Sequence, residues 1–210
     1  MTVRPPSVPE TVCGRGHFGD PLADHHFEPW WRVPSLNLVL NNGSGAPEQG
    51  TEVRIGHDGH SLRVLFVCED LAPWASLTER GAPLYMEEVV EVFLDVDGDG
   101  LAYYELELNP NNAVLDVFVR RVRNGFRKDF RWRCEGLRTA VRMIEGGWSG
   151  EFAIPFESVC AKPPQPGARW RVNFTRIDRP KDRPRELSSW SPTGLDQFHI
   201  PERFGTVLFA

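Results

Sequence analysis

Residues 91–110 read EVFLDVDGDGLAYYELELNP. The centre, Asp95-Val96-Asp97-Gly98-Asp99-Gly100, resembles the opening of a calcium loop. An EF-hand needs oxygen ligands at positions 1, 3 and 5, Gly at 6 and a bidentate Glu at 12. Counted from Asp95, the first four requirements are met, but position 12 is Leu106. The flanks are strands, because their polarity alternates with period two. In LAYYELELNP, Tyr104, Leu106 and Leu108 fall on one face and Tyr103, Glu105 and Glu107 on the other. The stretch is therefore a β-hairpin. Its turn uses Asp and Gly for their special backbone angles. Two readings stay open: a bare turn, or one in which Asp95, Asp97 and Asp99 hold calcium.

The same alternation extends outward in both directions. SLNLVLNN (35–42), TEVRIGHDGHSLRVLFVCED (51–70), NAVLDVFVRRVRNGFRKDFRWRC (112–134), GLRTAVRMIEGGWSGEFAIPF (136–156), ARWRVNFTRID (168–178) and GTVLFA (205–210) all carry strand patterns. Turn residues separate them: Asp58-Gly59, Gly146-Gly147, and Asn124-Gly125 as the φ > 0 pair of a type I′ hairpin. Ten to twelve strands at this spacing predict an all-β, antiparallel two-sheet sandwich, jelly-roll or immunoglobulin-like, in a single domain. Short helical turns are expected only near Glu157–Cys160 and Ala75–Arg80. Residues 1–29, rich in Pro, Gly and His, read as an extended arm over a core formed by 30–210.

Composition narrows the function. Hydrophobic residues make up 40% and charged residues 25%, values of an ordinary soluble globular protein. A net charge of −5 argues against a dedicated nucleic-acid binder. No apolar run nears the ~20 residues of a membrane helix. The N-terminus lacks the apolar core of a secretion signal, so the chain reads as cytoplasmic unless a signal has been removed. Cys13, Cys68, Cys134 and Cys160 form no C-x-x-C pair and read as free thiols.

Strand parity points to an unusual face. In RWRVNFTRID, Trp170, Val172 and Phe174 leave one side and Arg171, Asn173 and Thr175 the other. EVFLD separates Val92 and Leu94 from Glu91, Phe93 and Asp95 in the same way. Several neighbouring strands are thus expected to share a face of aromatics, carboxylates and amides, either as a solvated exterior or as a concave polar site. Sugars suit such a site, because a pyranose has an apolar face that stacks on Trp or Tyr and a hydroxyl rim that needs polar partners. Among seven tryptophans, Trp190 lies in a Pro/Gly/Ser-rich loop, ELSSWSPTGLDQFHIPERFG, where an exposed ring is expected.

Four stretches, VVEVFLDVDGDGLAYYELELNPNNAVLD, EGGWSGEFAIPFESV, GARWRVNFTRID and SSWSPTGLDQFHIPERFGTVLF, resemble the family-9 carbohydrate-binding modules and their DOMON-like relatives. The similarity runs from about Trp30 to the C-terminus. It implies a two-sheet sandwich that grips the end of a glycan between two aromatic rings, with structural calcium. By position, one ring matches Trp190 and the other falls near Tyr85, with Trp74 in the preceding loop as a substitute. Glu91 matches a ligand-contacting acid, and Glu107 falls where sugar binders carry a basic residue. Asn109 and Arg176, at strand ends near the expected cleft, are added from their placement alone. The expected partners are a glycan or oligosaccharide, and a carbohydrate-active enzyme of which such modules are appendages. No nucleic acid or membrane partner is expected.

Rival readings rest on less. Glu91, Glu105 or Glu107 could form a glycosidase pair, but acids on adjacent strands meet that spacing easily. No G-x-S-x-G or H-E-x-x-H occurs, so the chain reads as a non-enzyme. The DOMON-like relatives suggest haem on Met86 and His199, against only three methionines and no C-x-x-C-H. A scaffold associated with a glycoside hydrolase and lacking sugar affinity is a further alternative. Zinc on Cys13, His17, His25 and His26 has irregular spacing. The basic run RRVRNGFRKDFRWR alternates on a hairpin, which places its charges on one solvated face.

Overall fold

The computed structural model describes residues 7–21 and 28–210. Its strands are β1 (Glu10–Arg15), β2 (Leu36–Asn37), β3 (Val39–Leu40), β4 (Thr51–His57), β5 (Ser61–Glu69), β6 (Val89–Asp95) and β7 (Ala102–Leu108). They continue with β8 (Val114–Val122), β9 (Gly125–Asp129), β10 (Arg138–Ile144), β11 (Gly147–Pro155), β12 (Arg169–Asp178), β13 (Glu186–Ser189) and β14 (Gly205–Phe209). One layer runs β10-β11-β5-β4, and the other β14-β12-β6-β7-β8-β9. Both are antiparallel within themselves, as the sequence predicts.

β1 joins the layers. Glu10–Cys13 pair in parallel with Thr206–Phe209 of β14, and Gly14–Arg15 pair in parallel with Gly56–His57 of β4. The segment read as an arm thus contains a strand hydrogen-bonded on both sides. Its short length between Pro and Gly hid the periodicity. Residues 1–6 and 22–27 of that segment lie outside the described residues, as do His25 and His26 of the zinc reading.

Alternation decides what the layers bury. Val53, Ile55, Phe66, Trp148 and Phe152 of one layer meet Val92, Leu94, Leu106, Leu108, Val172 and Phe174 of the other. Phe66 stands edge-on to Phe174 across the interface, with centroids 6.2 Å apart. Each such side chain contributes about 1.5–3 kcal/mol by leaving water. The far face of the second layer is also covered. Phe93, Tyr103, Leu115, Val117 and Val119 lie beneath Leu84, Phe198 and Phe204 from the loops.

Local departures have local causes. The helical turn near residue 157 is Phe156–Val159, and Ala75–Arg80 is not helical; a 3-10 turn forms instead at Leu84–Met86. Glu28–Trp31 is a helical turn, and SLNLVLNN splits into β2 and β3. In the β8–β9 hairpin Val122 pairs with Gly125, so Arg123-Asn124 form the turn and positive φ falls on Gly125 alone. All four cysteines are free thiols.

Candidate functional site

Pairing register builds the polar face one row at a time. Thr175 of β12 pairs with Glu91 of β6, which pairs with Glu107 of β7. The adjacent row is Asn173, Phe93 and Glu105. Opposed side chains on neighbouring strands stand ~5 Å apart, so the carboxylates interact directly. None faces water: Glu91 is 2% exposed, Glu105 3% and Glu107 0%. The solvated-exterior reading of this face is therefore corrected, because the loops that carry Leu84, Phe198 and Phe204 roof it over.

The three acids are unequally supported. The Thr175 hydroxyl donates to Glu91 at 2.8 Å. Glu105 faces the Lys128 ammonium at 3.2 Å and His199 Nε2 at 3.5 Å. His199 Nδ1 lies 2.8 Å from the Tyr103 hydroxyl. Among the described residues neither oxygen of Glu107 has a well-formed hydrogen bond, and the backbone N–H of Tyr85 lies close enough to favour its charged form. Burial pushes the Glu91 carboxyl up to about 8, and the charge of Glu105 adds to that. Burial and the two neighbouring acids push Glu107 well above the usual carboxylate range. The His199 imidazole is pushed down by burial, against the pull of Glu105. Both acids of the inner pair are thus shifted toward the neutral form, while Glu105 faces a cation.

The other expected site residues scatter. Tyr85 is exposed on the Leu84–Met86 turn, beside Glu107. Trp190, expected at the surface, is 8% exposed and belongs to the inter-layer core, with its ring 5.7 Å from Phe174. Gly205 makes this possible: a Cβ there would lie 2.3 Å from the Trp190 ring. Trp190 and Tyr85 therefore lie on opposite sides of the second layer and do not form a two-ring clamp. Asn109 is consumed by its own turn, donating to Leu77 O at 2.8 Å and accepting from the N–H groups of Asn111 and Ala113. Trp74 donates from Nε1 to Arg179 O at 2.6 Å, and Lys181 sits 5.1 Å from its ring centroid. It borders a separate cleft of about 440 Å³ with Gln49, Asp70 and Arg183.

Arg176 shares strand parity with Phe174, so it points between the layers, away from Glu91. It donates to Asp70 at 2.9 Å, to Glu69 O at 2.8 Å and to Thr51 at 3.2 Å, and lies 3.5 Å from Asp178. Asp70, Glu88 and Asp178 can bring one oxygen each within 4.8 Å of one another. That group could hold a divalent cation, although the Arg176 guanidinium already pairs with two of its members.

The acidic turn is capped by its own first residue. Asp95 accepts from Gly98 N at 2.8 Å and Gly100 N at 2.9 Å, one backbone N–H on each oxygen. Asp99 accepts from Leu101 N, and Asp97 and Asp99 are exposed. Among the described residues these three do not gather.

Residues 25–210 match the family described as carbohydrate family 9 binding domain-like. The chain belongs to that family. The domain is 24% identical over 195 residues to endo-1,4-beta-xylanase A of Thermotoga neapolitana, covering 90% of this chain and 17% of the xylanase. Its fold matches a family-9 carbohydrate-binding module of Caldicellulosiruptor kristjanssonii solved with cellotriose: TM-score 0.71, 17% identity, 95% of this chain and 93% of that one. The same organism's module solved with glucose gives a TM-score of 0.69 at 16% identity, over 96% and 95% of the two chains. A protein of Bacteroides uniformis gives 0.79 at 19% identity, over 97% of this chain and all of that one.

Of the expected site residues the structure brings Glu91 and Glu107 together, and it sets beside them Glu105 and His199, which the sequence offered only under rival readings. Thr175 was placed on the right face but given no role. Lys128 was hidden in a basic run whose other members are mostly solvated. The signal that could have found it was its register: Lys128 pairs with Val119, which pairs with Tyr103.

Proposed function

We propose that this family-9 domain binds carbohydrate without catalysing its cleavage, at the polar row of the second layer. The observation that carries the reading is Glu107, a buried carboxyl whose oxygens are left without a side-chain partner among the described residues, next to the turn that carries the exposed Tyr85. Buried polar groups are nearly always paired, and an orphan costs about 1–3 kcal/mol. A polyol that pairs with Glu107 and Glu91 while its apolar face lies on Tyr85 removes that cost. The solved relatives with cellotriose and glucose support a sugar as the ligand class. Tyr85 is the stacking ring, and Trp190, Asn109, Arg176 and Trp74 serve the scaffold.

The row suits binding better than hydrolysis. A glycosidase needs one ionised carboxylate beside one protonated acid. Here burial raises both Glu91 and Glu107 toward the neutral form, and the neighbouring acid that faces a cation, Glu105, is tied to Lys128 and His199 rather than free to act as base or nucleophile. His199 directs its two nitrogens at Tyr103 and Glu105, an arrangement that favours a structural imidazole over a haem ligand. The chain spans 17% of the xylanase it matches, which supports a carbohydrate-active enzyme as partner. Calorimetry with glucose and cellotriose tests the reading. Binding that weakens roughly tenfold in Tyr85→Ala is expected; no heat with any glycan across a broad panel would overturn it.

A further inference from the structure

An internal cation already occupies the rim of the polar row. Lys128 lies on β9, an edge strand, and its half-exposed side chain brings its ammonium to 3.2 Å from Glu105. Glu105 is itself 3% exposed, so this charge enters the face from outside and ends on a buried acid. Behind it stand Glu91, supported by the Thr175 hydroxyl, and Glu107, which among the described residues has no side-chain hydrogen-bond partner. Among the described residues this space gathers three carboxyls, the Lys128 ammonium, the His199 imidazole and the hydroxyls of Thr175 and Tyr103. Carboxyls outnumber cations, and the deepest acid is the unpartnered one.

A neutral sugar that displaces Lys128 offers hydroxyls to these acids but brings no cation to replace it on Glu105. An ammonium offers three donors and a positive charge, and charge-assisted bonds are roughly twice as strong as neutral ones. We propose that the row selects a sugar bearing a free amine, whose ammonium takes the position Lys128 holds on Glu105 and faces Glu91 and Glu107. This rests on the sugar-binding reading and narrows it to a ligand class. Lys128 is then a tethered competitor, held on a flexible stem and released to solvent as the ligand enters.

Titration calorimetry with glucosamine, N-acetylglucosamine and glucose tests the proposal. The three share a ring and differ at one substituent. Glucosamine is expected to bind at least tenfold tighter than the other two. Lys128→Ala removes the competitor at the half-exposed rim and is expected to tighten glucosamine several-fold more than N-acetylglucosamine. Glu107→Gln is expected to shrink the preference for the amine. If the three sugars bind wild type equally, or Lys128→Ala leaves the glucosamine preference unmoved, the amine selectivity is overturned while sugar binding stands. If no sugar binds wild type or either variant, both readings fall.

Discussion

At the residue scale, Trp190 shows how one neighbour decides a side chain's fate. Its loop has the composition of a surface segment, yet the ring lies in the core because Gly205 leaves the space. Gly205→Ala would force the indole out or shift β14, at a cost of about 1–3 kcal/mol. A fall in melting temperature with sugar affinity retained is expected; an unchanged melting temperature would show that the ring moves freely. Glu107 presents the converse case. Its position on the strand and its face were legible from alternation, but burial was not, since period two says which side a residue takes and not what covers that side.

Hairpins and their turns form the next scale. The β6–β7 hairpin was readable because its alternation is unbroken and its turn is dense in Asp and Gly. Its metal was not readable, because a carboxylate that caps backbone N–H groups and one that binds a cation share the same letters. Asp95→Ala removes two hydrogen-bond acceptors from the turn and is expected to cost about 1–3 kcal/mol. Asp97→Ala, at an exposed position, should change stability by no more than about 0.5 kcal/mol. Chemical denaturation of the two variants separates a backbone-capping turn from one in which all three acids act together. The type I′ expectation at Asn124-Gly125 failed by one residue of register. Only the strand pairing, which a dipeptide does not encode, fixes which two residues form the turn.

For the whole molecule, the buried acids make stability depend on pH. Glu91 and Glu88 titrate at about 8 in the folded domain, both chiefly through burial, against an ordinary value of 4.5. The folded state therefore binds more protons than the unfolded chain between those values, and stability falls as pH rises through that window. The melting temperature is expected to decline from pH 5 to pH 8.5. Glu91→Gln should flatten the decline, and a profile that rises over this range would contradict the protonated row. The two-layer architecture was legible because parity was consistent from strand to strand. The roof over the second layer was not, since it is made by loops whose sequences carry no period.

β1 has a mechanical consequence as well. It runs parallel to β14, with Glu10 beside Thr206 and Cys13 beside Phe209. A pull that draws the two chain ends apart would slide these strands lengthwise, straining every hydrogen bond between them at once rather than one after another. A domain anchored at one end and loaded at the other is thereby latched shut by its first and last strands, and yields only when the whole latch gives way together.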